Sequence, residues 1–293
     1  MIPFREYLED IRPVVDRRIA EAAGGEADID PGVLPLLLKG KRMRAGLLLY
    51  VHAGLGPAAA PTRQALDLAC AVEFAHAASL ILDDMLDGDA TRRGAPSLHL
   101  TRGGGRAILD AVGILALPYA LAAPYGAGYV TMLASAQRRM ARGVAWEMLG
   151  GPDLPAAELY DAIVARKTGC LFSLAAAWGA MATGEEDAVV AAFGEFGLAA
   201  GKAMQVADDI ADLRATGGTR RQPGSEALLL RCVPGNNGTR QALGRILERE
   251  VSGAAARLAD AGRRRVPPVV WEPFGQAVRD IVGLTMGEEV PVG

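Results

Sequence analysis

Residues 73–87 read EFAHAASLILDDMLD, an apolar run that ends in three aspartates. Apolar and small residues recur there at helical intervals and no alternation of period two interrupts them, so the stretch reads as one helix. Residues 197–212 read GLAAGKAMQVADDIAD and repeat the arrangement. With 18 aspartates in 293 residues, one Asp-Asp-x-x-Asp arises by chance with a probability of roughly 0.07, and two with roughly 0.002. Two such helix ends in one chain therefore organise the rest of the reading.

Working outward, the chain reads as helices throughout. Phe4, Leu8, Ile11, Val15 and Ile19 recur at helical spacing. Val33 to Val51 and Ala65 to Leu86 read as long apolar helices, followed by 156–182, 187–213 and 239–262. Breakers cluster at 23–32, 54–61, 102–105, 150–155, 217–224 and 234–238, which predicts about ten helices. No internal period repeats and no linker forces a boundary, so residues 1–293 are expected to form a single all-α domain, a helical bundle. Ala111 to Ala136 holds no charged residue and is long enough to span a bilayer. Pro118, Pro124, Gly126 and Gly128 interrupt it, so the expectation is buried helices of a soluble core and no membrane span.

Composition narrows the function classes. Hydrophobic residues make up 51%, charged residues 22%, and the net charge is −3. That excludes a basic nucleic-acid footprint and disfavours disorder. Cys70, Cys170 and Cys232 are odd in number and form no CxxC pair, so neither a disulfide framework nor a zinc ribbon is expected. The opening MIPFREYLEDIRPVVDRR carries charges throughout and lacks the apolar run of a signal peptide. A reducing, cytoplasmic location is the expectation.

The chemistry is signalled by the aspartates. Residues i and i+4 share a helix face, so Asp83 projects with Asp87, and Asp208 with Asp212. Like charges so placed repel unless cations neutralise them. Hard oxygen donors at this spacing suit Mg²⁺, which keeps waters and shares phosphate oxygens. Asp83, Asp84, Asp87, Asp208, Asp209 and Asp212 form the candidate metal-holding set. Arg92 and Arg93 follow the first motif, and paired guanidinium donors fit a diphosphate. Gly40-Lys41-Arg42-Met43-Arg44 is a dense basic cluster read as lying within an apolar helix. Against 27 arginines only Lys39, Lys41, Lys167 and Lys202 are lysines, which marks a retained lysine as a compact phosphate contact. Lys167-Thr168-Gly169 joins the candidates on that ground. His76 lies two turns before Asp83 on the same face, where a core histidine is the plainer reading.

Together GKRMR (40–44), EFAHAASLILDDMLDGDATRRGAPSLH (73–99), KTG (167–169) and GKAMQVADDIAD (201–212) resemble the trans-isoprenyl diphosphate synthases, the polyprenyl synthetase family. The order and approximate spacing match over about residues 35–213. The resemblance implies an all-α fold with a deep central cavity. It implies condensation of isopentenyl diphosphate with an allylic diphosphate, assisted by Mg²⁺, in a homodimer. By position, Asp83 and Asp87 would hold two Mg²⁺ ions on the allylic diphosphate and Asp208 a third, with Asp212 close by. Arg92 and Lys167 would contact that diphosphate. Lys41, Arg44, His76 and Arg93 would bind isopentenyl diphosphate. Thr168 and Gln205 would line the site of the developing allylic cation.

The resemblance also fixes departures. Ala45 stands where the family usually has proline, and Trp146 is read at the place of a middle-helix glutamine. A Gly-Asp pair is missing near Asp110-Ala111, and GGTRRQPGSEALLL replaces the usual lysine elements after the second motif. Two other readings use the same scaffold. A terpene cyclase or unusual prenyltransferase is one, although Asn236 and Asn237, the chain's asparagines, start no N-D-x-x-S-x-x-x-E motif. A non-catalytic partner subunit is the other, and its expected mark, a ruined aspartate motif, is absent from the sequence. For product length, Ala78 and Ser79, one turn before the first motif, are expected to leave the tunnel floor open. Phe74, nine residues before Asp83 or about 13.5 Å along a helix, is expected to close it. The expected product has at least 20 carbons, with geranylgeranyl diphosphate the best guess.

Overall fold

A computed structural model describes residues 1–26, 28–56, 60–92, 94–215, 239–262 and 272–287. The architecture is helical: α1 (Phe4–Gly24), α2 (Leu34–Leu37), α3 (Met43–Leu55), α4 (Arg63–Asp87), α5 (Leu98–Arg102), α6 (Gly104–Ala122) and α7 (Ala127–Leu149). There follow α8 (Ala156–Val164), α9 (Cys170–Met181), α10 (Asp187–Ala215), α11 (Thr239–Gly262) and α12 (Glu272–Met286). α4 and α10 carry the aspartate motifs at their C-terminal ends. α10 packs along α9, α4 along α6, and α3 against both α4 and α9. The core runs from Phe4 of α1 through Leu48 of α3, Phe74 of α4, Trp178 of α9 and Phe193 of α10 to Phe274 of α12.

Local chemistry explains the boundaries. The buried stripe of α1, Phe4, Leu8, Ile11, Val15, Ile19 and Ala23, follows the spacing read from the sequence. Thr62 caps α4 by accepting from the Ala65 N–H at 3.2 Å. Gly88, at φ 68°, ends it in a left-handed turn just past Asp87.

The expected helix from Val33 to Val51 is broken instead. A 3₁₀ turn (Pro31–Val33) leads into α2, and α3 begins only at Met43. Arg42 sits between them in the left-handed region at φ 57°. Its buried guanidinium holds it there, bonded to Asp16 (2.6 Å), Glu73 (3.3 Å) and the Leu37 carbonyl (2.6 Å). Glu73 also accepts from the Ala45 N–H at 3.1 Å, a donor that proline could not supply. The basic cluster therefore occupies a helix start, where its side chains can turn inward. A two-residue hairpin, Thr91–Arg92 with Ala95–Pro96, also replaces a plain loop.

The apolar stretch 111–136 breaks at Ala123–Tyr125 and Gly126, as its prolines and glycines imply. Its burial departs from expectation. By length and composition both Arg63–Asp87 and Gly104–Tyr125 could cross a membrane, and their apolar windows are 72% and 33% buried. The outer face of α6 exposes Ile108, Leu109 and Val112, because α4 covers only the opposite face.

Candidate functional site

The ends of α4 and α10 face one another across a cavity of about 710 Å³. α4 lines it with His76, Ser79, Leu80, Asp83 and Asp87. α10 contributes Met204, Gln205, Asp208, Asp209 and Asp212; α7 contributes Met140, Val144 and Glu147. A π turn, Ala165–Gly169, continues α8 into α9 and places Lys167 and Thr168 on the same wall. π turns of this kind recur where a helix must re-aim side chains at a site. Lys39, Lys41 and Arg44, from the break before α3, complete the basic side.

Glycines let these walls close. A Cβ on Gly143 would stand 2.6 Å from the Lys167 backbone nitrogen, so α7 can meet the π turn only where it lacks a side chain. One turn later α7 presents Glu147. A Cβ on Gly201 would stand 2.9 Å from the Gly169 Cα, so α10 meets the other side of the π turn. One turn later α10 presents Gln205, whose Oε1 accepts from the Thr168 hydroxyl at 2.6 Å.

The six motif aspartates divide by environment. Asp83 and Asp87 face the cavity from α4, and Asp208 and Asp212 from α10. Asp84 departs from the expected metal set: it is 2% exposed and does not line the cavity. Its carboxylate grips the Arg92 guanidinium, which also bonds Asp89 at 3.0 Å. On a helix the residue after Asp83 points about 100° away, so Asp84 fastens the hairpin strand at Arg92 instead. Asp209 stands at the cavity edge but is likewise 2% exposed. Its Oδ2 accepts from the Tyr160 hydroxyl at 2.8 Å and its Oδ1 from the Gln205 amide at 2.9 Å.

Burial pushes the Asp83, Asp87 and Asp208 carboxyls above the ordinary range. The charge of Asp83 adds to the shift at Asp87, and that of Asp212 to the shift at Asp208. Lys167 offsets part of it at Asp83. Burial also works against the Lys167 charge, but Glu147 and Asp83 outweigh it and raise that group. Nζ lies 2.5 Å from Glu147 Oε2 and 3.5 Å from Asp83 Oδ1. Among the described residues no three acidic, histidine or cysteine side chains converge as a preformed metal cluster. Carboxylates spread over two facing helices fit a hard cation that shares its shell with water and phosphate oxygens, as Mg²⁺ does.

The remaining candidates sort as follows. Lys41, Arg44, His76, Arg92 and Thr168 all line the cavity. Lys41 donates to the Leu284 carbonyl at 2.7 Å, and Arg44 lies 4.8 Å over the Phe172 ring. Arg93 and the segment 216–238 lie outside the described residues. Of the chain-length candidates, Ser79 lines the cavity, while Ala78 and Phe74 are buried in the core and do not. Lys202 is turned to Asp161 (2.5 Å) and Glu250 (3.1 Å), away from the cavity.

Two residues were missed in the sequence. Glu147 forms part of the acidic wall, whereas Trp146, read as the departure on this helix, stacks on Arg166 at 4.2 Å. The i,i+4 pair Gly143/Glu147 was its available signal. Tyr160 carried none, since its partner Asp209 lies 49 residues away.

Known proteins are similar to this chain in sequence and in fold. A model of the polyprenyl synthetase family matches residues 33–225. The geranylfarnesyl diphosphate synthase of Aeropyrum pernix is 36% identical over 182 residues, 58% of this chain and 57% of that protein. The geranylgeranyl diphosphate synthase of Pseudescherichia vulneris is 38% identical over 189 residues, 60% of this chain and 61% of that protein. The chain thus spans somewhat over half the length of these relatives. The crystal structure of a polyprenyl synthase from Caulobacter crescentus CB15, complexed with calcium and isoprenyl diphosphate, aligns with a TM-score of 0.76 at 23% identity over 99% of both chains. It has the same isoprenoid synthase fold. The family match takes in both aspartate motifs, the 40–44 cluster and Lys167, and by it this chain belongs to the polyprenyl synthetase family.

Proposed function

We propose that the chain is a trans-prenyltransferase that condenses isopentenyl diphosphate with an allylic diphosphate, releasing diphosphate and a longer prenyl diphosphate. One observation carries the reading: carboxylates from two opposed helices and a basic set from the α3 start share one cavity. Lys167 and Arg92 hold the allylic diphosphate. Lys41, Arg44 and His76 hold isopentenyl diphosphate, and Arg93 is assigned to the same group. Asp83, Asp87, Asp208 and Asp212 would hold Mg²⁺, three ions by family resemblance, which when bound neutralises the charge that develops on the departing diphosphate. Thr168 and Gln205 offer oxygen atoms to the allylic carbon as it becomes cationic. Leu80, Met140, Val144, Leu171 and Met204 wall the cavity with apolar surface that keeps water from that carbon.

The rest of the reading follows the same logic. We assign residues 1–293 to one domain, in keeping with a core that draws on α1 to α7 and α9 to α12, with α8 packed in a smaller cluster against α10. A homodimer is supported by the apolar face of α6, where Leu109 is 68% and Val112 60% exposed; a second copy of the chain is its natural cover. Cytoplasmic residence accords with Cys70 and Cys170, both buried free thiols. The product is assigned at least 20 carbons. The test is incubation with Mg²⁺, isopentenyl diphosphate and each allylic diphosphate of 5, 10, 15 and 20 carbons, with products identified by mass spectrometry. Condensation products are expected; recovery of unchanged substrates alone removes the reading.

A further inference from the structure

A chain of hydrogen bonds runs behind the cavity wall. The Tyr160 hydroxyl of α8 donates to Asp209 Oδ2 (2.8 Å), Gln205 Nε2 donates to Asp209 Oδ1 (2.9 Å), and Thr168 Oγ1 donates to Gln205 Oε1 (2.6 Å). Tyr160 is 4% exposed, Asp209 2% and Thr168 5%. Gln205 and Thr168 face the cavity.

The chemistry of the partners sets the direction of this chain. Both Asp209 oxygens accept, one from Tyr160 and one from Gln205, so the end of the Gln205 amide that meets Asp209 is its NH₂ group. That forces the amide oxygen toward Thr168. The Thr168 hydroxyl then spends its proton on that oxygen, and what it leaves for the cavity is lone pairs. With the opposite amide orientation Thr168 would have to accept, and its proton would be free to turn toward the reacting carbon. Fixed dipoles with their oxygen ends toward developing positive charge stabilise it without reorganisation, and their direction decides the sign of the effect. The Tyr160 ring is itself held in a small apolar cluster with Val164, Val206 and Ile210, so the anchor of the chain is rigid.

We propose that Tyr160 and Asp209 are positioning residues that fix the Thr168 and Gln205 dipoles with oxygen toward the developing allylic cation. The inference rests on the prenyltransferase reading above. It gives the second aspartate of the second motif a task other than holding metal, and it gives Tyr160 a task where none was assigned.

The polarity of the chain makes it testable by exchange. Asp209→Asn allows the neighbouring amide to turn, and Gln205→Glu sets two carboxylates face to face. The double variant Asp209→Asn/Gln205→Glu restores these three bonds. The amide introduced at position 209 donates to the carboxylate introduced at 205, Thr168 still donates to that carboxylate, and Tyr160 still donates to the amide oxygen at 209. Each single variant should lower kcat about tenfold or more, with KM for both diphosphates within about twofold, and the double variant should recover most of the loss. Tyr160→Phe keeps the ring in its cluster and removes only the hydroxyl. It should lower kcat severalfold and weaken the preference for a tertiary-ammonium allylic diphosphate analogue over its neutral isostere, with the Mg²⁺ requirement unchanged. A double variant no better than Asp209→Asn, or a Tyr160→Phe enzyme with wild-type kcat and wild-type analogue preference, overturns the inference. If Asp209→Asn does not fold, Tyr160→Phe decides alone. Wild-type protein that condenses no pair of substrates overturns the underlying reading instead, and this inference with it.

Discussion

Lys167 stands between two acids, its Nζ 2.5 Å from Glu147 Oε2 and 3.5 Å from Asp83 Oδ1. Glu147 is on α7 and Asp83 on α4, so the lysine joins the wall that carries the first aspartate motif to a helix that carries no motif. The three charges leave one net negative among them, and Glu147 takes most of the ammonium's attention. Asp83 thereby keeps an oxygen for other partners.

Glu147→Gln should therefore harm the reaction indirectly. Without the Glu147 charge, Lys167 is expected to close on Asp83 and compete with metal there. The predicted result is about a tenfold loss of kcat, equal to about 1.4 kcal/mol, together with a higher Mg²⁺ concentration for half-maximal rate. Steady-state kinetics across a magnesium titration checks this. An unchanged magnesium requirement would separate Glu147 from the metal-linked carboxylates.

The cavity carboxylates should trade stability for activity. Asp83→Ala and Asp208→Ala should each lower kcat at least ~100-fold, about 2.7 kcal/mol of transition-state stabilisation, and EDTA should abolish activity that Mg²⁺ restores. In metal-free protein the sign of the stability effect is opposite. Burial raises the Asp208 carboxyl above its ordinary 3.8 in the folded state. The folded chain then binds more protons than the unfolded chain in the window above that value. Stability present at low pH is lost as pH rises through the raised pKa. Asp208→Asn should accordingly raise Tm in EDTA at neutral pH, and the two proteins should converge toward acid pH. Calorimetry over that range tests the sign; a lower Tm for the variant at neutral pH would refute it.

How much of this was legible beforehand follows from the range of each interaction. The buried stripe of α1 and the cavity pairs Asp83/Asp87 and Asp208/Asp212 follow from helical periodicity, a local property. The break at Arg42 does not. It depends on Asp16 and Glu73, 26 and 31 residues away, which bond a guanidinium that spacing alone placed within a helix. The middle aspartates misled for the same reason. Motif spacing groups Asp84 with Asp83, but the helix turns it toward Arg92. Asp209 is claimed by Tyr160, which nothing nearby in sequence announces.

The exposed face of α6 makes a separate prediction. Leu109 and Val112 lie three residues apart on one helix face, both more than half exposed. If a second copy covers them, Leu109→Glu/Val112→Glu places two charges per chain in that interface, each costing several kcal/mol when buried without a partner. Light scattering at micromolar concentration should give a dimer mass for the parent and a monomer mass for the variant. A parent that is already monomeric would leave α6 for some other cover.

Product length gives the sharpest contrast between sequence spacing and packing. The spacing placed Ala78 and Ser79 at the open first floor of the hydrocarbon tunnel and Phe74 at its close. The cavity instead meets α4 at His76, Ser79, Leu80 and Asp83, one helical face, while Ala78 is 0% and Phe74 1% exposed within the core. A bulky side chain at 79 would enter the cavity one turn below Asp83, in the path of a growing tail on the proposed reading. A bulky side chain at 78 would instead enter close-packed protein. Ser79→Phe should shorten the product to 10 or 15 carbons with little change in Tm. Ala78→Phe should overpack the core, costing about 1–3 kcal/mol, and lower Tm before it alters chain length. Phe74→Ala should cost about 3–5 kcal/mol by opening a cavity. Mass spectrometry of the products beside a thermal melt separates the two positions. An Ala78→Phe enzyme with parental Tm and a shortened product would show that the tail runs behind this face of α4, as the spacing implies.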